Sequence, residues 1–187
     1  MKNIAIFASG NGSNAENIIH YFDGNDAVKV ALILSNKADA YVIERAHRHQ
    51  IPSVVFSAAE LNREGFMLQL MQNFNIDGIV LAGFLLKIPT ELIAAYPQKI
   101  INIHPALLPK YGGKGMYGAA VHQAVWAAKE PETGITIHFV NEHYDEGAII
   151  FQARCPISQQ DTPETIAAKV HALEYEHFPR VIGEVRF

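Results

Sequence analysis

Apolar residues along the chain follow two alternating rhythms. Short runs rich in Val, Ile and Leu, bounded by Gly, Pro, Asn or Ser, predict strands at Asn3–Phe7, Lys29–Leu34, Ser53–Phe56, Gly78–Leu81, Ile100–Ile103, Gly134–Val140 and Ala148–Pro156. Between them, apolar positions spaced three and four apart predict helices at Ala15–Phe22, Ala40–His49, Arg63–Phe74, Thr90–Tyr96, Ala119–Lys129 and Pro163–Glu184. Thr162-Pro163-Glu164 opens the last of these with a capping hydroxyl and a proline in the first turn. Strand–helix alternation predicts an α/β fold: a central, mostly parallel sheet of about seven strands with helices on both faces. Only a turn-rich loop joins the last two strands, so that edge is expected to be antiparallel or mixed. No Pro- or Ser-rich linker and no repeat interrupts the pattern, and residues 1–187 read as a single domain.

Composition narrows the picture. A chain of 187 residues can bury a good core, since a domain of ~150 residues hides ~70% of its unfolded surface. Hydrophobic content is 49% and no run approaches the ~20 apolar residues of a membrane span. Met1–Ala8 could mimic a short signal segment, but Ser9-Gly10-Asn11-Gly12 breaks it and a first strand is expected instead. The single cysteine, Cys155, excludes an intramolecular disulfide, suits a reducing cytoplasm, and reads as inert core filler before Pro156. A net charge of −4 without a basic run argues against nucleic acid as a partner. His47 and His49 lie two apart on a helix pattern, and there is no His-Glu-x-x-His motif or cysteine pair, so no metal is expected.

Three stretches carry candidate chemistry. In Ile101-Asn102-Ile103-His104-Pro105, strand alternation puts Asn102 and His104 on one face, and Pro105 forces His104 to be extended and ends the strand. The pair therefore stands at the carboxyl end of a strand, where open α/β sheets hold ligands. An amide, an imidazole and a carboxylate able to reach them would suit acyl transfer. Ser9-Gly10-Asn11-Gly12-Ser13-Asn14 joins the first strand to the first helix, whose amino end with Ser13 and Asn14 could cradle a phosphate. A dinucleotide site fits less well, because Ser35-Asn36-Lys37 stands where a ribose-binding acid belongs. A P-loop is excluded, as no Gly-Lys-Ser/Thr follows. Asn141 to Gly147 reads as a polar loop containing Asp145. On the residues alone, the strand-end histidine could be structural, the glycine loop a capped turn and Asp145 merely solvated.

Taken together, these segments resemble the folate-dependent formyltransferases, in particular the glycinamide ribonucleotide branch. The matching pieces are Ser9 to Asn14, Ser35 to Ala40, Leu81-Ala82-Gly83-Phe84, Asn102-Ile103-His104-Pro105 with Leu107 to Tyr111, and Gly134 to Gly147. The Asn-x-His-Pro and Asp-x-Gly pair marks the superfamily; Gly-Asn-Gly-Ser-Asn marks the branch. The resemblance implies a Rossmann-like formyltransferase fold. It also implies direct transfer of a formyl group from 10-formyltetrahydrofolate to the amine of glycinamide ribonucleotide in de novo purine biosynthesis, without metal or covalent intermediate. It gives Asn102, His104 and Asp145 catalytic roles, with Asp145 orienting His104 and raising its pKa. Gly12, Ser13, Asn14 and Glu174 are implied to hold the ribonucleotide. Arg63, Leu85, Leu86, Lys87, Ile88, Asn102, Asn141, Glu142, His143, Tyr144 and Asp145 are implied to hold the folate.

Two departures stand out. Leu85-Leu86-Lys87 follows Phe84 where the family often has Met-Arg, and Tyr111 to Gly118 is unusually rich in glycine, leaving Lys110 or Lys114 to reach the phosphate. Another 10-formyltetrahydrofolate enzyme, either a hydrolase or a transferase to another acceptor, is the nearest alternative; these usually carry an extra domain, for which 187 residues leave little room. A non-catalytic nucleotide-binding module is the more distant one. The expected location is the cytoplasm, with small-molecule partners and neither nucleic acid nor membrane. The sequence does not decide between monomer and homodimer.

Overall fold

A computed structural model describes residues 1–187. Seven strands, β1 (Lys2–Phe7), β2 (Val28–Ser35), β3 (Ser53–Val55), β4 (Gly78–Leu81), β5 (Ile100–His104), β6 (Glu132–Phe139) and β7 (Ile149–Pro156), form one sheet in the order β3-β2-β1-β4-β5-β6-β7. The first five run parallel, while β6 lies antiparallel to β5 and β7 antiparallel to β6. The helices are α1 (Ser13–Tyr21), α2 (Tyr41–Arg48), α3 (Ala58–Leu61), α4 (Phe66–Asn73), α5 (Thr90–Ala95), α6 (Ala119–Ala127) and α7 (Pro163–Glu184).

Strand β1 shows why the sheet must be covered on both faces. Ile4, Ile6 and Ala8 enter one core with residues of α1, α2 and α7, including Ile18, Val42 and Phe178. Ala5 and Phe7 point the other way, into a core with Leu61, Met67, Met71 and Leu92. Successive residues of a strand face opposite sides, so a strand buried on both reads as an unbroken apolar run.

The alternating pattern and the antiparallel edge are as the sequence predicts, with ends shifted by a residue or two. Two expectations need correction. The helix predicted over Arg63–Phe74 begins only at Phe66, because Gly65 takes a left-handed backbone (φ 73°) and its N–H bonds the Glu91 carboxylate. The separate α3 lies just before it, opened by a capping box in which Ser57 and Glu60 satisfy each other's backbone amides. Cys155 is not core filler: β7 is an edge strand, its residues are exposed or half-buried, and the thiol is half-buried there.

Candidate active site

The order of the strands reverses between β1 and β4, since the chain builds β2 and β3 on one side of β1 and then returns to build β4 on the other. Loops leaving the carboxyl ends of these two strands diverge and leave a crevice. Ser9, 2% exposed, ties them together. Its N–H bonds the Gly83 carbonyl, its hydroxyl donates to Asn36 Oδ1 at 2.6 Å, and the same oxygen accepts the Leu85 N–H at 3.0 Å. The crevice opens into a cleft of about 820 Å³ running from the Gly10–Asn14 loop past Gly83–Ile88 and the end of β5 to Asn141–Asp145. That volume suits small-molecule ligands.

At the inner end of the cleft stand Asn102, His104, His138 and Asp145. Antiparallel pairing sets Asn102 opposite His138 and His104 opposite Thr136. Thr136 then anchors the chain beyond Pro105: its hydroxyl donates to the Ala106 carbonyl at 2.7 Å and accepts the Leu108 N–H at 3.0 Å. His104 Nε2 is 2.8 Å from the Tyr111 carbonyl oxygen and donates to it, while Nδ1 faces Asp145 Oδ2 at 3.5 Å. His138 Nδ1 donates to the Phe139 carbonyl at 2.8 Å. Its Nε2 lies 3.1 Å from the Asn102 amide nitrogen and 3.6 Å from Asp145 Oδ1. The carboxylate of Asp145 thus sits between two imidazoles and also accepts the Gly113 N–H at 2.9 Å. Tyr111 and Asp145, the two residues that hold His104, both have left-handed backbones at φ 57°, a conformation that is costly for side-chain-bearing residues and concentrates at functional sites.

Electrostatics follows from this packing. Burial pushes the His104 pKa down, and although the Asp145 charge and the Tyr111 carbonyl pull it back up, the net direction is down. Asp145 does raise it, as expected, but the expected net preference for the imidazolium is corrected: His104 is 3% exposed, and at 3.5 Å the carboxylate does not recover what is lost by removing water. For Asp145, by contrast, burial raises the pKa, but the His138 ring, the His104 charge and the Gly113 amide outweigh it and hold the carboxyl below its usual range. The result is an ionised carboxylate beside a largely neutral imidazole at pH 7.

At the outer end, Gly12 precedes α1 with φ 75°. A Cβ there would lie 2.5 Å from Val42 Cβ and 2.9 Å from its Cα, so only glycine lets α2 pack this closely against the loop. No side chain caps α1, so its first-turn amides are free to meet an anion. Asn14 Nδ2 donates to Glu174 Oε2 at 2.9 Å, and His171 Nδ1 lies 2.9 Å from the same oxygen. The hydrogen bond to Glu174 raises the His171 pKa against a smaller opposing effect of burial. Nearby, burial and the His171 charge lower that of His122. Asn14 Oδ1 and His122 Nδ1 are buried without a partner. Glu174, whose spacing alone suggests an exposed helix residue, is 4% exposed.

The structure thus gathers Gly12, Ser13, Asn14, Glu174, Leu85, Leu86, Lys87, Ile88, Asn102, His104, Asn141, His143, Tyr144 and Asp145 around one cleft. Two expected folate contacts lie elsewhere. Arg63 is exposed and stacks over Phe66 at 4.3 Å, and Glu142 is exposed; neither lines the cleft. Lys110 pairs with Glu130 at 2.9 Å, whereas Lys114 does line the cleft. His138 and His171, absent from the sequence-based assignment, also belong to it. His138 could have been found by pairing Thr136-x-His138 against Asn102-x-His104 across an antiparallel edge.

Comparison with known proteins gives the family and the fold. A family model described as formyl transferase matches residues 2–182. A chloroplastic phosphoribosylglycinamide formyltransferase of Arabidopsis thaliana is 40% identical over 190 residues, covering 98% of this chain, which spans only 65% of that protein's length. The Bacillus subtilis phosphoribosylglycinamide formyltransferase is 40% identical, covering 99% of this chain and 95% of its own. A crystal structure of the Streptococcus pneumoniae protein of that name superimposes with a TM-score of 0.87 at 35% identity, over 98% of both chains.

Proposed function

Because this chain belongs to the formyl transferase family, we propose that it moves the formyl group of 10-formyltetrahydrofolate to the amine of glycinamide ribonucleotide, a step of de novo purine biosynthesis. The observation that carries this reading is the meeting of Asn102, His104 and Asp145 at one end of a cleft whose other end is the glycine loop at the start of α1. One chain supplies all of these groups, so the reading requires no second subunit, metal, nucleic acid or membrane. No helix is long and apolar enough to cross a membrane, and the cytoplasm is the compartment we assign.

The ribonucleotide phosphate would lie on the amides of Gly12, Ser13 and Asn14, with Glu174 and Asn14 holding the sugar or amide part beyond it. The folate would lie along Leu85 to Ile88 and Asn141 to Asp145. The substrate amine attacks the formyl carbon, giving a tetrahedral oxyanion. The C–N10 bond then breaks, N10 leaves with a proton, and the product amide keeps the formyl group. Since the donor is already activated, the protein has mainly to align two reactants and stabilise the oxyanion. Asn102 offers one N–H. Neutral His104 has one N–H, on Nε2, now given to the Tyr111 carbonyl, so the formyl oxygen must take that carbonyl's place to receive it. As negative charge grows on that oxygen, the imidazole gains affinity for a proton: Nδ1, beside Asp145, takes through water the proton the amine loses and returns it to the departing N10, with the Asp145 carboxylate stabilising the imidazolium in between.

Steady-state assay of Asn102→Ala, His104→Ala and Asp145→Asn with both substrates tests this. Each should lower kcat by about 100-fold or more, the usual cost of deleting an oxyanion donor or its support. Near-normal turnover in all three would sink the assignment. Formate released without ribonucleotide at a rate matching transfer would instead identify a hydrolase.

A further inference from the structure

Outside the cleft, α1 and α2 bring three more ligating side chains together. Glu16 and His20 stand four residues apart on α1 and leave the same face of the helix. His49, at the carboxyl end of α2, turns back against them. Its Nε2 is 3.5 Å from Glu16 Oε1, and its ring meets that of His20 edge to face with centroids 4.9 Å apart. One donor atom from each residue lies within 4.8 Å of the other two. None of the three lines the cleft, so the formyl-transfer reading makes no use of them.

We infer that Glu16, His20 and His49 bind a divalent cation of the zinc, cobalt or nickel class. Two imidazole nitrogens and one carboxylate oxygen, with water in the fourth position, form a familiar donor set for such ions. Hard cations such as calcium and magnesium prefer oxygen throughout. Donors about 2.1 Å from a tetrahedral ion are roughly 3.4 Å from one another, and the Glu16–His49 spacing of 3.5 Å already meets this. His20 is exposed, so its side chain has room to turn toward the other two donors.

Arg45 is the group that could oppose a cation here, because its guanidinium pairs with Glu16. It does so through Oε2, whereas His49 faces Oε1. The two carboxylate oxygens are thus divided, one held by arginine and one free for a metal. Arg45 is itself fixed by the carbonyl and side chain of Asn11, so it orients the carboxylate as an outer partner does in metal sites. The sequence hides this arrangement: Glu16-x-x-x-His20 is half a chelate, and the third donor comes from another helix.

Calorimetric titration of the full chain with zinc chloride alone, in chelator-free buffer, tests the inference. One ion should bind per chain with a dissociation constant of about 10 μM or tighter. His20→Ala and His49→Ala should each weaken binding at least about tenfold, while His47→Ala, exposed on the same turn of α2, should leave it unchanged. Cobalt(II) loaded in place of zinc should give a visible absorption band that His49→Ala abolishes. Absence of one-to-one binding in the micromolar range, or binding indifferent to both His20 and His49, overturns the inference.

Discussion

Each end of the cleft pairs a histidine with a carboxylate, and the two pairs are tuned in opposite directions. At the inner end the His104 side chain is 4% exposed and faces Asp145 at 3.5 Å. At the outer end the His171 side chain is 51% exposed and lies 2.9 Å from Glu174. Desolvation dominates the first and lowers the histidine pKa; the hydrogen bond dominates the second and raises it. Asp145 also divides its attention among His104, His138 and the Gly113 amide. A carboxylate alone therefore does not fix a histidine's charge: water and distance decide. A neutral imidazole can take up and return a proton, and a cationic one can anchor an anion, so the same two groups suit chemistry at one end and binding at the other.

The division can be broken kinetically, and there the expected effect is largest. Asp145→Asn should lower kcat by about 100-fold with little change in the ribonucleotide KM, whereas Glu174→Gln should raise that KM by about tenfold and leave kcat nearly unchanged. Steady-state kinetics with each substrate varied in turn would show both; if the two variants shifted the same parameter, the ends would not be separate in function. A smaller effect concerns pH. His171 has a raised pKa, so its charge persists above the ordinary histidine range and is lost as pH rises through the folded value. The ribonucleotide KM, measured from pH 7 upward where the phosphate is already dianionic, should climb a few-fold in the native protein and stay flatter in His171→Gln. The smallest effect is on stability, and its sign differs between the ends. Because the pKa of His104 is depressed on folding, its contribution is present above the unfolded value of about 6.5 and is lost as pH falls through the folded one. That of His171 is present below about 6.5 and lost as pH rises. Urea unfolding at pH 7.5 and 5.5 should show a smaller loss of midpoint on acidification for His104→Gln than for the native chain.

Some of this was legible in the sequence and some could not be. Strand alternation and Pro105 fix Asn102 and His104 on one face at the end of β5, because both constraints act within a few residues. The glycine loop was legible for the same reason, although the need for glycine at position 12 comes from Val42 on another helix. Nothing local brings Asp145 to His104: that contact depends on the antiparallel return through β6 and a left-handed turn at Asp145 itself. Only the family resemblance supplied it. Glu174 looked like a surface residue because helical spacing does not reveal which face a partner covers; Asn14, from the start of α1, meets it there. The net direction of the His104 pKa is not legible, because sequence names the charged neighbour that raises it but not the excluded water that lowers it further.

Ser9 gives the arrangement a mechanical consequence. One hydroxyl oxygen gauges the gap between the segment beginning at Leu85 and the turn at Asn36, with the Ser9 backbone fastened to Gly83. The floor of the cleft is therefore indexed to a single atom, and trimming that atom would loosen the segment beginning at Leu85 against β1 without removing any side chain that lines the cleft.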